Sequence, residues 1–223
     1  MLHTRISIPA EPHIELDGEL TLPEQASGVV VFAHGSGSSR FSPRNNYVAS
    51  VLQQAGMGTL LFDLLTREED RDYETRFDIP LLTRRLLAAT AWLQRQPLTA
   101  NARIGYFGAS TGAAAALKAA AQTASGVISA VVSRGGRPDL AGPTALGKVE
   151  APTLLIVGGD DDIVIRLNRD ACDLLTCEKE LLIVPGATHL FEEPGTLEQA
   201  AQAATAWFRR HFTAPATPPP RHR

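Results

Sequence analysis

Cysteine is scarce in this chain. It has two, Cys172 and Cys177, which form no C-x-x-C pair and stand at no metal-ligand spacing from a histidine. Two reduced, partly buried thiols in a segment that reads as helical are the expectation, and a disulfide scaffold or zinc module is not. Long apolar runs are also missing. No stretch approaches the roughly 20 apolar residues that a membrane-spanning helix needs, and MLHTRISIPAEPHIELDG at the N-terminus lacks the apolar run of a signal peptide. A soluble, cytoplasmic protein without a membrane partner is expected. No charge of one sign dominates: 24 acidic residues against 21 basic ones leave a formal net charge of −3, with no block of like charge. That balance gives no electrostatic footprint for nucleic acid. There is no internal repeat, and nothing marks a second domain.

What is present is an ordinary globular composition, 44% hydrophobic over 223 residues. A chain of this size buries roughly 70% of its unfolded surface, enough to fold without a disulfide or structural metal. Two alternating segments, around Arg5–Ile8 and His13–Leu22, read as antiparallel opening strands separated by Pro9 and Pro12. Then the pattern changes. Short apolar runs at Gly28–Ala33, Gly58–Phe62, Arg103–Phe107, Val127–Val132, Thr153–Val157 and Leu181–Val184 read as strands. Longer helical patterns separate several of them: Asn45–Ala55 with Ser42 and Pro43 at its start, Glu74–Gln96 interrupted by Pro80, Thr111–Gln122, and Leu197–Phe212. Near-continuous apolar strands alternating with helices predict a mostly parallel sheet covered on both faces, a three-layer α/β sandwich. The domain is expected over residues 1–212, with a proline-rich, disordered tail over 213–223. The longest connection after a strand, roughly Ser133–Ala151, is too short for a cap domain.

Gly108-Ala109-Ser110-Thr111-Gly112 is a G-x-S-x-G motif in its telling context, with the strand RIGYF before it and the helix AAAALKAAA after. So tight a strand–helix turn demands small neighbours, which Gly108, Ala109, Gly112 and Ala113 supply. It also lifts the Ser110 hydroxyl to the head of a helix, where unpaired N–H groups favour developing negative charge.

A serine hydroxyl needs a base to become a nucleophile. Of six histidines, His3, His13 and His222 lie near the termini, and His211 falls at the end of the last helix, where a cation suits the dipole. His189, in VPGATHLFEEPG after the last strand, opens on the sheet edge that carries Ser110 and is the expected base. His34 reads as a loop brace. The acid should come from the loop after the preceding strand, where GGDDD offers Asp160, Asp161 and Asp162. By spacing from the glycine pair Asp161 is preferred, then Asp162, then Asp160; its carboxylate would fix the imidazole tautomer. A calcium site there lacks the remaining alternating ligands. For the oxyanion, one backbone N–H would come from Thr111 and the other from the loop HGSGSS, at Ser36. The segment GPTALGK, residues 142–148, imitates a P-loop. Val149 stands where a magnesium-binding Ser or Thr belongs, so it is read as a decoy.

These residues carry a family likeness. The stretches HGSGSSRFSPRN, LLFDLLT, GYFGASTGAAAAL, VSRGGRPDL, APTLLIVGGDDD and LLIVPGATHLFEEPG span about Val30 to His211. Through them the chain resembles the small α/β-hydrolases related to the dienelactone hydrolase group, especially bacterial hydrolases that stand alone or are fused to phosphoribosyltransferases. The resemblance implies an eight-stranded, mostly parallel sheet with Ser110, Asp161 and His189 in the catalytic positions. One departure matters: dienelactone hydrolases proper use a cysteine nucleophile, and this chain has a serine there. The expected activity is therefore that of a general serine esterase acting on small carboxylic esters without a cofactor or metal. Lactone, thioester or peptide hydrolysis on the same triad, or a non-catalytic scaffold, are the alternatives. Arg40, Arg134 and Arg137 are candidates for binding an anionic substrate group. The reading leaves room for a homodimer.

Overall fold

The computed structural model describes residues 1–213, so the expected tail lies, from residue 214 on, outside the described residues. Eight strands form one sheet: β1 (Leu2–Glu11), β2 (Ile14–Leu22), β3 (Val29–Ala33), β4 (Gly58–Phe62), β5 (Ile104–Ala109), β6 (Ile128–Arg134), β7 (Thr153–Gly158) and β8 (Lys179–Val184). Their spatial order is β1-β2-β4-β3-β5-β6-β7-β8. The hairpin β1–β2 is antiparallel, β2 joins β4 antiparallel, and every pairing from β4 to β8 is parallel. The sequence puts a break at Pro9, but β1 runs through it to Glu11. Pro9 lies opposite Glu15, next to a register shift, on an edge strand where its missing N–H costs no ladder bond.

The helices are α1 (Pro43–Gln54), α2 (Ile79–Arg95), α3 (Thr111–Ala120), the short α4 (Pro143–Leu146), α5 (Asp162–Leu174) and α6 (Thr196–Thr213). Ser42 caps α1 by accepting from the Asn45 N–H at 3.3 Å. The expected helix from Glu74 is corrected. Residues Glu74–Phe77 form a 3-10 turn, and α2 starts at Ile79, where Asp78 accepts from the Leu81 N–H at 2.9 Å. Pro80 thus opens the helix instead of interrupting it, because a first-turn residue needs no N–H partner within the helix. Only Cys172 of the two free cysteines is helical, since α5 stops at Leu174 and Cys177 lies in the connection to β8.

The pleat explains why the strands read as unbroken apolar runs. In β3, Val29, Val31 and Ala33 face one core cluster while Val30 and Phe32 face the other. In β5, Ile104 and Tyr106 join the first cluster and Phe107 the second. The first core is closed by α2 and α3, through residues such as Leu86 and Ala115. The second is closed by α1 and α6, through Leu52, Trp207 and Phe208. Among the described residues no cap covers the carboxyl edge of the parallel strands. The helices hold the two faces, so that edge is where loops from β3, β5, β6, β7 and β8 meet.

Phe107 is fully buried, with its ring centroid 4.9 Å from that of Phe32. Phe107→Ala is expected to lower unfolding free energy by roughly 3–5 kcal/mol, read as a shift in the urea midpoint at unchanged slope.

Candidate active site

The chain passes from β5 into α3 through Ser110 alone, whose backbone angles are φ 50° and ψ −121°. An L-residue with a side chain rarely adopts that φ, and its persistence requires that the surroundings impose it. The surroundings are tight. A Cβ on Gly108 would lie 2.4 Å from Ala113 Cα, and one on Gly112 would lie 2.1 Å from the Ala33 carbonyl oxygen. Strand, turn and helix can therefore approach this closely only with glycine at both positions. The Arg137 N–H, at 3.1 Å, and the Ala113 N–H, also at 3.1 Å, donate to the Ser110 carbonyl and hold the turn.

Facing the turn is the loop after β3. An ideal Cβ on Gly35 would stand 3.1 Å from Ser110 Cβ, which places the backbone at residues 35–36 against the serine. His34 fixes this loop. The Leu64 N–H donates to its Nε2 at 3.0 Å, so its proton sits on Nδ1, which donates to the Gly35 carbonyl at 3.0 Å. Burial pushes the His34 pKa below its ordinary value, and hydrogen bonding to Gly35 offsets this in part.

His189 lies in the connection between β8 and α6. Its Nδ1 donates to Asp161 Oδ2 at 2.7 Å, with Asp161 at the head of α5. The backbone ties this loop to the one after β7, since the Asp160 N–H donates to the Ala187 carbonyl at 3.0 Å. Of the three neighbouring aspartates Asp161 reaches the imidazole, while Asp160 and Asp162 are exposed. Thr188 closes the loop on Glu193, donating through its N–H at 3.0 Å and its hydroxyl at 2.6 Å. Those bonds hold the Glu193 carboxyl below its usual range. No pattern in FEEPG points to this brace.

Ser110 and His189 line one cavity of about 260 Å³, together with Gly35, Ser36 and Arg134. Thr111 begins α3 directly beside it and is buried. The three candidate arginines separate. Arg40 is engaged by Asp63, through both its backbone N–H and its guanidinium, and lies 3.5 Å from Asp17. Arg137 is forked onto Asp139 at 2.9 and 2.7 Å, which raises its pKa. Neither lines the cavity, and each already has its carboxylate. Arg134 does line it, joined by two residues that the sequence did not single out, Arg44 and Asn45. The P-loop imitation folds as α4 and the turn after it, between a 3-10 turn and β7, away from this edge.

The three-layer sheet with this strand–serine–helix turn defines an α/β-hydrolase fold. A family model, the dienelactone hydrolase family, matches residues 16–213, and the chain belongs to that family. It is similar to two Mycobacterium tuberculosis proteins that carry a provisional phosphoribosyl transferase name. They are 59% identical over 210 residues, 94% of this chain but 47% of their own length. The chain thus spans about half the length of these curated relatives. Among solved structures it resembles a dienelactone hydrolase from Anabaena variabilis, at 56% identity and a TM-score of 0.90, covering 94% of this chain and 98% of that one. Est1E from Butyrivibrio proteoclasticus shares the fold at 15% identity, with a TM-score of 0.80 over 94% of this chain and 99% of its own. No helix among the described residues is long and apolar enough to cross a membrane.

The His34 brace makes the loop acid-sensitive. Because its folded pKa is depressed, the unfolded chain takes up the proton first as pH falls through the ordinary value of 6.5. Its stabilising contribution is whole above that value and shrinks below it. The stability gap between wild type and His34→Gln, from urea unfolding, is expected to narrow from pH 7.5 toward pH 5; a gap that stays constant or widens contradicts the brace.

Proposed function

We propose that this hydrolase-family protein is a serine esterase that cleaves small carboxylic esters through an acyl-enzyme. The observation that carries the reading is the 2.7 Å bond from His189 to Asp161 on the rim of the cavity that holds the strained Ser110. A carboxylate only accepts hydrogen bonds, so the imidazole proton sits on Nδ1 and Nε2 keeps its lone pair for the serine hydroxyl. Ser110 Oγ attacks the ester carbonyl while His189 Nε2 takes its proton. The resulting oxyanion is received by the backbone N–H groups of Thr111 and Ser36, with the head of α3 adding its dipole. Collapse of the tetrahedral intermediate breaks the C–O bond, and His189 returns the proton to the leaving alcohol. Water, deprotonated by the same nitrogen, then releases the acid and restores Ser110.

The small, uncapped cavity favours short acyl groups. Family membership is established over residues 16–213, so the phosphoribosyl transferase name of the longer relatives is not carried to this chain. Two free cysteines, Cys172 and Cys177, suit a reducing cytoplasm, where we place the protein. A lactone or thioester uses the same attack and expulsion, and a substrate panel separates these from simple esters.

Ser110→Ala or His189→Ala is expected to lower turnover of p-nitrophenyl acetate by roughly 10³-fold or more with the fold retained. Asp161→Asn should cost less than either but more than Asp162→Asn. Full activity in Asp161→Asn would move the acid elsewhere, and failure of a neutral fluorophosphonate to label Ser110 would reduce the protein to a scaffold.

A further inference from the structure

The buried face of α5 carries Val164, Ile165, Asn168 and Ala171, three apolar side chains and one amide. Asn168 is completely buried. Its Nδ2 donates to the Gly136 carbonyl at 3.0 Å and to the Val164 carbonyl, one turn back, at 2.8 Å. Both partners only accept, so the amide can face them only with its nitrogen. Its Oδ1 is left without a partner among the described residues. An unpaired buried oxygen is costly, and a leucine would fill the same face without that cost. Packing of α5 therefore does not account for the amide. What it adds is a directed bond to Gly136.

Gly136 belongs to the turn of residues 134–137, between the end of β6 and the 3-10 turn from Pro138. That turn touches both Ser110 and His189. The Arg137 N–H donates to the Ser110 carbonyl at 3.1 Å, and the Ser110 N–H donates back to the Arg134 carbonyl at 3.4 Å. A Cβ on Gly135 would lie 3.0 Å from the His189 carbonyl oxygen and 3.7 Å from His189 Nδ1. A Cβ on Gly136 would collide with Ser133 Oγ and lie 2.6 Å from Ala113 Cβ, so the turn is pressed between β6 and the head of α3. Two bonds fix it on its other side. The Gly135 N–H donates to the Ile156 carbonyl of β7 at 2.8 Å, and Asn168 holds the Gly136 carbonyl. Asp161 heads the same helix, about two turns before Asn168.

We propose that Asn168 is a positioning residue for Ser110. Through the Gly136 carbonyl it ties the helix headed by Asp161 to the turn that holds the serine, and so sets the reach between Ser110 Oγ and His189 Nε2. This role rests on the esterase reading, since it concerns proton transfer between those two atoms. Without the amide, the 134–137 turn keeps its bonds to Ser110 and β7 but loses its tie to α5. A small displacement there moves the hydroxyl against an imidazole that Asp161 holds, and proton transfer is steeply sensitive to such a displacement.

The test uses the full chain, with kcat expressed per Ser110 titrated by a neutral fluorophosphonate, so that unfolded molecules are not counted. Wild type that neither labels nor hydrolyses p-nitrophenyl acetate would overturn the esterase reading and this role with it. Asn168→Leu is expected to lower kcat by about ten- to hundredfold while KM changes by less than about threefold. Asn168→Asp keeps the size but removes the donor as a carboxylate; as a carboxylic acid it can donate to the Gly136 carbonyl again. Burial raises the pKa of such a carboxyl, so its deficit relative to wild type should shrink as pH falls from about 9 toward 6. Ala171→Gly, on the same buried face, loosens α5 without removing the bond to Gly136 and should leave kcat per labelled serine unchanged. If Asn168→Leu does not fold, the pH dependence of Asn168→Asp carries the test. Full kcat per labelled serine in both Asn168 variants, a loss confined to KM, an Asn168→Asp deficit that does not shrink with falling pH, or an equal loss in Ala171→Gly each overturns the positioning role. All four leave the esterase standing.

Discussion

Between β5 and α3 the chain reverses through one residue, and the rest of the site is arranged around the cost of that reversal. Ser110 holds a positive φ only because Gly108 lets Ala113 close in from the helix and Gly112 lets the β3 end close in from the sheet. The same closeness presses the backbone at Gly35 against the serine. Ser110, the head of α3 and the neighbouring loop are thus fixed by one steric arrangement. A looser turn would relax the strain and lose the alignment together.

The second constraint is the parallel sheet itself. From β4 to β8 all strands run one way, so residues far apart in the chain emerge at one edge. His34, Ser110, Arg134, Asp161 and His189 each follow or end a different strand there. The helices occupy both faces and leave the edge to loops, which are braced in pairs: Leu64 to His34, Asp160 to Ala187, and Thr188 to Glu193. These braces let short, uncapped loops hold side chains in place where no additional layer covers them.

Electrostatics then sorts similar side chains into different roles. Arg40 and Arg137 are engaged by Asp63 and Asp139, and buried Arg85 by Glu69. Arg134 is as deeply placed, yet it faces the cavity with a like charge for company. The aspartates of the loop after β7 divide similarly. Asp161 meets an imidazole, and its neighbours remain in solvent.

What the residues determined unaided is local or ordered along the chain. G-x-S-x-G between a strand and an alanine helix fixes the serine turn, because small neighbours are a steric requirement of that turn. The acid loop and the histidine loop follow from their places after successive parallel strands. Capping by Ser42 was legible for the same local reason, and Asp78 two residues before Pro80 marks the start of α2 by an equally local signal. Only the folded molecule decided which arginines line the cavity and which are held elsewhere by carboxylates. That depends on partners far along the chain, Asn45 lying 89 positions from Arg134 and Glu192 lying 148 from Arg44. Periodicity records which face a residue occupies, but it holds no information on which partner waits there.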